Sequence, residues 1–332
     1  YANRGNAQLR KGDLDAALAD YTEAIRLEPK NAFRYSLRAA AHQQKKDTAA
    51  AIADFTQAVT LAPGEAIYWA ERGDAHAAAG QIDRALADHA KAIELEPQNP
   101  VRWNNRGVDL ETVKLDFPAA IADYSEAIRL RPKTGLYFSN RGNAYLRAKD
   151  VDKALTDYSQ AIALEPKEDA WWNKRGNAYF NHKEDFARAA ADYSEAIRLK
   201  PTVALYWSNR ADCFRRLKDY PRALDDYREA IRLEPKNPNH HNERGIVNHD
   251  AQRFADAIAD YSNAIALAPN DPVYLANRAL AYKNLREYDK AIADYEAAIR
   301  GDPQAARRRR DLADARILKG DFTGAIQDLT EA

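Results

Sequence analysis

Two helical stripes alternate along this chain. In "LYFSNRGNAYLRAKDVDKALTDYSQAIALEPK", residues 136–167, Phe138, Arg141, Gly142 and Tyr145 recur at helical spacing. A polar turn, "AKD", follows, and Ala154, Tyr158, Ala161 and Ile162 make a second stripe at i, i+4, i+7 and i+8. Leu164-Glu165-Pro166 closes it, because proline cannot continue a helix and disfavours helical angles in the residue before it. The same block recurs. Pro29, Pro63, Pro97, Pro132, Pro166, Pro201, Pro235, Pro269 and Pro303 stand 34 residues apart, apart from two intervals of 35. A fixed period of this length means stacked helix–turn–helix units. Pro100, Pro238 and Pro272 fall where first helices open, and Pro118 and Pro221 where second helices open. The two longer intervals predict single insertions in the helix–helix turns near "ETVKLDF" and "NHKEDF".

Each repeat can be numbered so that its closing proline is position 32. Position 4 is then Tyr1, Tyr35, Trp69, Trp103, Phe138, Trp172, Trp207, His241 and Leu275, and position 8 is glycine or alanine, as in Gly5, Ala39, Gly142 and Ala279. Position 20 is alanine in all ten repeats, from Ala17 to Ala325, and position 24 is Tyr or Phe except at His89 and Leu329. This pattern resembles the tetratricopeptide repeat, over the whole chain. The resemblance implies an all-α, right-handed superhelical solenoid of stacked antiparallel helix pairs. First helices would line its concave face and second helices its convex face. The first repeat would begin inside its first helix, and the tenth would end at Ala332, inside its second. A length of 332 residues would ordinarily suggest two domains. A solenoid has no central core to outgrow, so a single solenoid over 1–332 is expected.

One position departs from the family. Position 7, usually leucine, is arginine in nine consecutive repeats: Arg4, Arg38, Arg72, Arg106, Arg141, Arg175, Arg210, Arg244 and Arg278. The tenth has Leu312. Position 23 is aspartate in all ten, including Asp123, Asp157 and Asp192. An antiparallel helix pair puts position 23 within reach of the same repeat's arginine, and the next turn brings it near the following one. A half-buried arginine uses its stem for packing and its fork for a carboxylate, and would be costly without one. A structural Arg–Asp ladder is expected, including Arg106 with Asp123, Arg141 with Asp157 and Arg175 with Asp192.

The resemblance places positions 2, 5, 6, 9, 12 and 13 on the concave face. Positions 5, 6 and 9 hold 11 of the chain's 20 asparagines: Asn3, Asn6, Asn104, Asn105, Asn140, Asn143, Asn173, Asn177, Asn209, Asn242 and Asn277. Asparagine is a mediocre residue inside a helix, so local propensity does not explain this. Its amide both donates and accepts, which suits the backbone of an extended peptide. Long members of the family hold peptide with such asparagines. Asn104, Asn105, Asn140, Asn143, Asn173, Asn177, Asn209, Asn242 and Asn277 are therefore the expected peptide-binding residues. Arg147, Lys174, Arg215, Arg216 and Lys283 on the same face would favour an acidic or C-terminal segment. The family's two-carboxylate clamp is not reproduced as a whole, so that specificity is not carried over.

Composition narrows the rest. Fifty basic residues balance fifty acidic ones, which argues against nucleic-acid and polybasic membrane binding. No apolar run is long enough to span a membrane, and no signal peptide is evident. A single cysteine excludes an intrachain disulfide. It does not settle the compartment; a cytoplasmic setting is slightly favoured, with a periplasmic or secreted one left open. Cys213 reads as a small buried packer, and His42, His76 and His89 as aromatic substitutes. His240, His241 and His249 lack a ligand set, so no metal and no cofactor is expected. Arg307 to Arg310 reads as a solvated or frayed helix. The expected function is a non-enzymatic scaffold binding a protein or peptide of unspecified identity, with self-association left open. The alternative is the recruitment arm of a larger enzyme or signalling protein, since the chain starts at Tyr1 and contains no methionine.

Overall fold

The computed structural model describes residues 1–302 and 306–331; Pro303 and Ala332 lie outside the described residues. Every regular element among the described residues is helical. The chain forms two compact units, Tyr1–Pro166 and Lys167–Ala332. The first holds α1 (Ala2–Lys11), α2 (Leu14–Leu27), α3 (Ala32–Gln44), α4 (Thr48–Leu61), α5 (Ala66–Ala78), α6 (Ile82–Leu95), α7 (Pro100–Asp109), α8 (Phe117–Leu130), α9 (Gly135–Arg147) and α10 (Val151–Leu164). The second holds α11 (Asp169–Ala178), α12 (Phe186–Leu199), α13 (Ala204–Arg216), α14 (Tyr220–Leu233), α15 (Pro238–Asp250), α16 (Phe254–Leu267), α17 (Pro272–Asn284), α18 (Tyr288–Gly301), α19 (Ala306–Lys319) and α20 (Phe322–Glu331). Odd-numbered helices are the first of each repeat and even-numbered helices the second.

Turn chemistry sets the hairpins. Position 15 takes a left-handed conformation in every repeat, on glycine at Gly12, Gly80 and Gly320 and on a side-chain-bearing residue elsewhere, such as Lys149 at φ 65°. The next residue is usually aspartate. Asp150, for one, accepts a bond from the backbone N–H of Lys153 and caps α10. The two 35-residue intervals are absorbed differently from the sequence expectation. The extra residue does not lengthen the connecting turn. It widens the end of the first helix into a π-turn, Leu110–Lys114 after α7 and Tyr179–Lys183 after α11.

The core is a repeated contact between one ring and one residue with little or no side chain. The position-24 tyrosines, among them Tyr21, Tyr124, Tyr158 and Tyr193, are fully buried. Each rests on position 8. A Cβ added to Gly142 would lie 2.8 Å from Cε1 of Tyr158, and one added to Gly245 2.6 Å from Cε1 of Tyr261. At these glycines the ring sits so close that a side chain would make it shift, which offsets the cost of glycine to the helix; Ala39, Ala211 and Ala279 hold the same place in other repeats. Alanine at position 20 is buried in every repeat, which lets the paired helices approach. Tryptophan at position 4 has a reason the sequence did not show. The indole N–H of Trp69, Trp103 and Trp207 donates to the carbonyl of Pro63, Pro97 and Pro201 in the preceding inter-repeat turn, at 2.9, 3.0 and 2.9 Å.

The arginine at position 7 pairs with position 23 of its own repeat. Nε and Nη2 of Arg141 donate to the two carboxylate oxygens of Asp157 at 2.8 Å each, and Arg106–Asp123 and Arg175–Asp192 have the same two-pronged geometry. The pairs are therefore discrete, not a continuous ladder. What crosses between repeats is the remaining nitrogen. Nη1 of Arg38, Arg141, Arg210 and Arg278 donates to the hydroxyl of Thr22, Ser125, Ser194 and Ser262 at position 25 of the preceding repeat, at 3.0–3.1 Å. The guanidinium also lies over the position-4 ring, 4.8 Å from the centroid for Arg72 on Trp69. Hydrogen bonding to Asp157 raises the pKa of Arg141 further. The tenth repeat restores the pair from another position. Arg316, one helical turn beyond Leu312, places Nη1 3.0 Å from Asp328. The Arg307–Arg310 run is helical and partly engaged, with Arg308 donating to Asp302.

Candidate interaction face

Three first-helix positions, 2, 6 and 9, share one face at i, i+4 and i+7. Position 2 leaves a row of apolar side chains exposed: Phe33, Ile67, Val101 and Leu136 in the first compact unit, and Leu205 and Val273 in the second. Below it the asparagines are mostly engaged, and in a regular way. Nδ2 of Asn140 donates to Oδ1 of Asn104 at 2.9 Å, Asn209 to Asn173 at 3.2 Å, and Asn277 to Asn242 at 2.8 Å. Each bond joins position 6 of one repeat to position 5 of the repeat before, and the pairs recur at every second repeat. Asn104 and Asn242 are buried. At position 9 the asparagines serve the core: Asn143 and Asn177 accept the hydroxyls of Tyr158 and Tyr193 at 2.8 and 2.7 Å, as Asn6 does for Tyr21. Asn105 and Asn3 stand apart from these pairs.

The sequence reading thus grouped residues that do two different things. It also missed the carboxylates that take the same role. Tyr227 donates to Asp212 at position 9, and Tyr124 to Glu111 in the π-turn. The signal was available, since a buried phenol needs an acceptor and position 9 directly follows the ring's seat on position 8.

Most basic residues expected on this face are occupied. Arg147 donates to the carbonyl of Glu111, Arg215 to Asp250, and Arg216 stacks 4.4 Å over the Phe186 ring. Lys174 lies 5.3 Å from the Trp171 ring centroid. Carboxylates are less well served. Burial, with repulsion from Asp74, raises the Glu71 carboxyl from 4.5 to about 7. The folded chain therefore holds this proton more tightly than the unfolded one. Stability present below pH 4.5 is lost as pH rises through 7. Glu71→Gln is expected to melt higher than the parent chain at pH 8 and about equally at pH 4; equal melting at both would show that Glu71 is not desolvated.

Cys213 is fully buried, and burial pushes its thiol up to about 12, so it is held as a neutral packing residue. Burial lowers the pKa of His241 and of His249, which also packs edge-on against Phe254. His240 bonds Glu234 at 3.0 Å, and His76 bonds Gln81 at 2.9 Å. Among the described residues no group of three or more His, Cys, Asp or Glu is arranged to hold a metal ion. No described helix is long and apolar enough to cross a membrane.

Repeated helix pairs with a side-chain-lined first-helix face define a helical-repeat scaffold. The chain belongs to the tetratricopeptide repeat family, which it matches over residues 1–31, 37–100, 114–164, 139–204, 173–238, 209–272 and 277–332. Proteins of this family mediate protein–protein interactions and are typically non-enzymatic. No curated protein matches the chain. Among solved structures it is similar to a tetratricopeptide repeat protein from Parabacteroides merdae ATCC 43184, with TM-score 0.54 and 16% identity over 79% of this chain and 98% of that one. It is also similar to YrrB, described as a TPR protein with an unusual peptide-binding site, with TM-score 0.48 and 17% identity over 56% of this chain and 95% of that one. A third is yeast Tom70, with TM-score 0.48 and 16% identity over 99% of this chain and 90% of that one.

Proposed function

We propose that this protein is a scaffold that binds an extended segment of a protein partner on its first-helix face, with the position-6 amides, held by those of position 5, gripping the partner's backbone. The cross-repeat asparagine pairs carry this reading. In each pair the position-6 amide spends a donor on its neighbour, which fixes its orientation and leaves Oδ1 as an acceptor of set direction. Asn140, Asn209 and Asn277 thus offer preorganised acceptors to peptide N–H groups, beside exposed apolar side chains that would seat partner residues. Asn105 keeps both functions available. Asn143 and Asn177 enter the reading as supports for the buried tyrosines more than as direct contacts.

The test is affinity capture with the parent chain and with Asn105, Asn140 and Asn209 all changed to alanine. Each lost hydrogen bond is worth about 1 kcal/mol. Recovery of partners is expected to fall at least tenfold while helicity is retained, and unchanged recovery would overturn the proposal.

A further inference from the structure

On the first compact unit the face carries a different charge from that expected. Ile67, Glu71 and Asp74 form one stripe of α5. Ile67 is exposed, Oε2 of Glu71 is buried with no hydrogen-bond partner, and burial raises the pKa of Asp74 as it does that of Glu71. Behind them stands His89, 1% exposed, where eight repeats have a tyrosine or phenylalanine. Neither ring nitrogen makes a hydrogen bond, although Nε2 lies 3.1 Å from Asp109 and 3.5 Å from Asp74. The nearby guanidinium, Arg102, is buried and gives its Nε to Glu96 at 2.9 Å. Glu71 is thus held partly out of water while the Asp74 side chain is 53% exposed, and among the described residues no lysine or arginine forms an ion pair with either. Apolar side chains flank them on both sides: Phe33 on α3, and Val101 and Val108 on α7. Phe33 and Tyr68 also line a cleft of about 740 Å³, together with Leu61, Ala62, Lys30 and Glu65.

Resting on the reading of this face as a peptide-binding surface, we infer that Glu71 and Asp74 receive a lysine or arginine of the partner segment. Apolar partner residues beside that cation pack on Phe33, Ile67 and Val101. The partner is therefore a basic, apolar-flanked segment, not an acidic one. A bound ammonium or guanidinium supplies the counter-charge that the chain withholds. Because Oε2 of Glu71 is already desolvated, an ion pair there loses less on forming than a fully exposed pair would.

Selection of a displayed random dodecapeptide library on the full chain tests this. Enriched sequences are expected to carry a lysine or arginine next to aliphatic or aromatic residues. The tightest binder, made synthetically, is expected to bind the Glu71→Gln, Asp74→Asn chain at least tenfold more weakly than the parent. Exchanging the peptide's basic residue for glutamine should bring the two chains to equal affinity. Equal affinity of the basic peptide for both chains overturns the inference, provided circular dichroism shows both folded. If that peptide still weakens on the Asn105→Ala, Asn140→Ala chain, the cation site alone has failed. If it ignores those changes too, or if no peptide is enriched, the peptide-binding reading falls with it.

Discussion

Arg141→Ala is expected to destabilise the chain by about 2–4 kcal/mol. Asp157 is 6% exposed and Arg141 20% exposed, so the aspartate has little access to water once its partner is gone. Breaking a buried pair typically costs about 3–5 kcal/mol, and the partial exposure of the arginine brings the figure down. The change also removes the bond to Ser125 and the packing of the guanidinium against Phe138 and Tyr145, at 5.7 and 5.8 Å. Replacing both partners, Arg141→Leu with Asp157→Ala, is expected to recover most of the loss, because no buried charge is then stranded. The tenth repeat already carries leucine at position 7. Urea titration measures the loss, and amide exchange locates it. Exchange should quicken first in α9 and α10, because repeat proteins lose stability locally. A midpoint unchanged from the parent would mean that Asp157 is satisfied without Arg141.

The second large effect lies across the same helix pair. Tyr158→Ala should cost about 3–5 kcal/mol, the usual loss when a buried aromatic side chain is truncated to alanine. The ring is 1% exposed and rests on Gly142, which has no side chain with which to fill the space. Tyr158→Phe keeps the ring and removes only the hydroxyl donated to Asn143, a loss of about 1 kcal/mol. Urea titration of the two variants separates packing from hydrogen bonding. A phenylalanine variant as unstable as the alanine one would show that the hydroxyl, and not the ring, holds the pair together.

Much of this could be read without coordinates. A 34-residue period, small residues at positions 8 and 20 and a ring at position 24 specify antiparallel helix pairs, because the spacing alone decides which side chains meet within a repeat. The co-occurrence of Arg141 with Asp157, repeated nine times along the chain, announced an internal ion pair on the same grounds. The asparagines were legible only as a concentration. Asn140 and Asn143 lie three residues apart on one helix, yet the first bonds Asn104 in the preceding repeat and the second bonds Tyr158 in its own.

The sequence by itself therefore determined the repeat, its helices, their buried rings and the charge pairs, all of which depend on spacing along a helix or across one turn. Tertiary structure decided which of two carboxylate neighbours each arginine chose and where the two inserted residues went, since the helix end yields more readily than the capped turn. It decided that Arg316 stands in for the missing tenth arginine, and that the amides are tied in pairs between alternate repeats. It also decided that, among the described residues, no lysine or arginine pairs with Glu71 or Asp74. These outcomes turn on how one repeat rests on the next and on how much water that leaves at each polar atom, and neither quantity is written in the period.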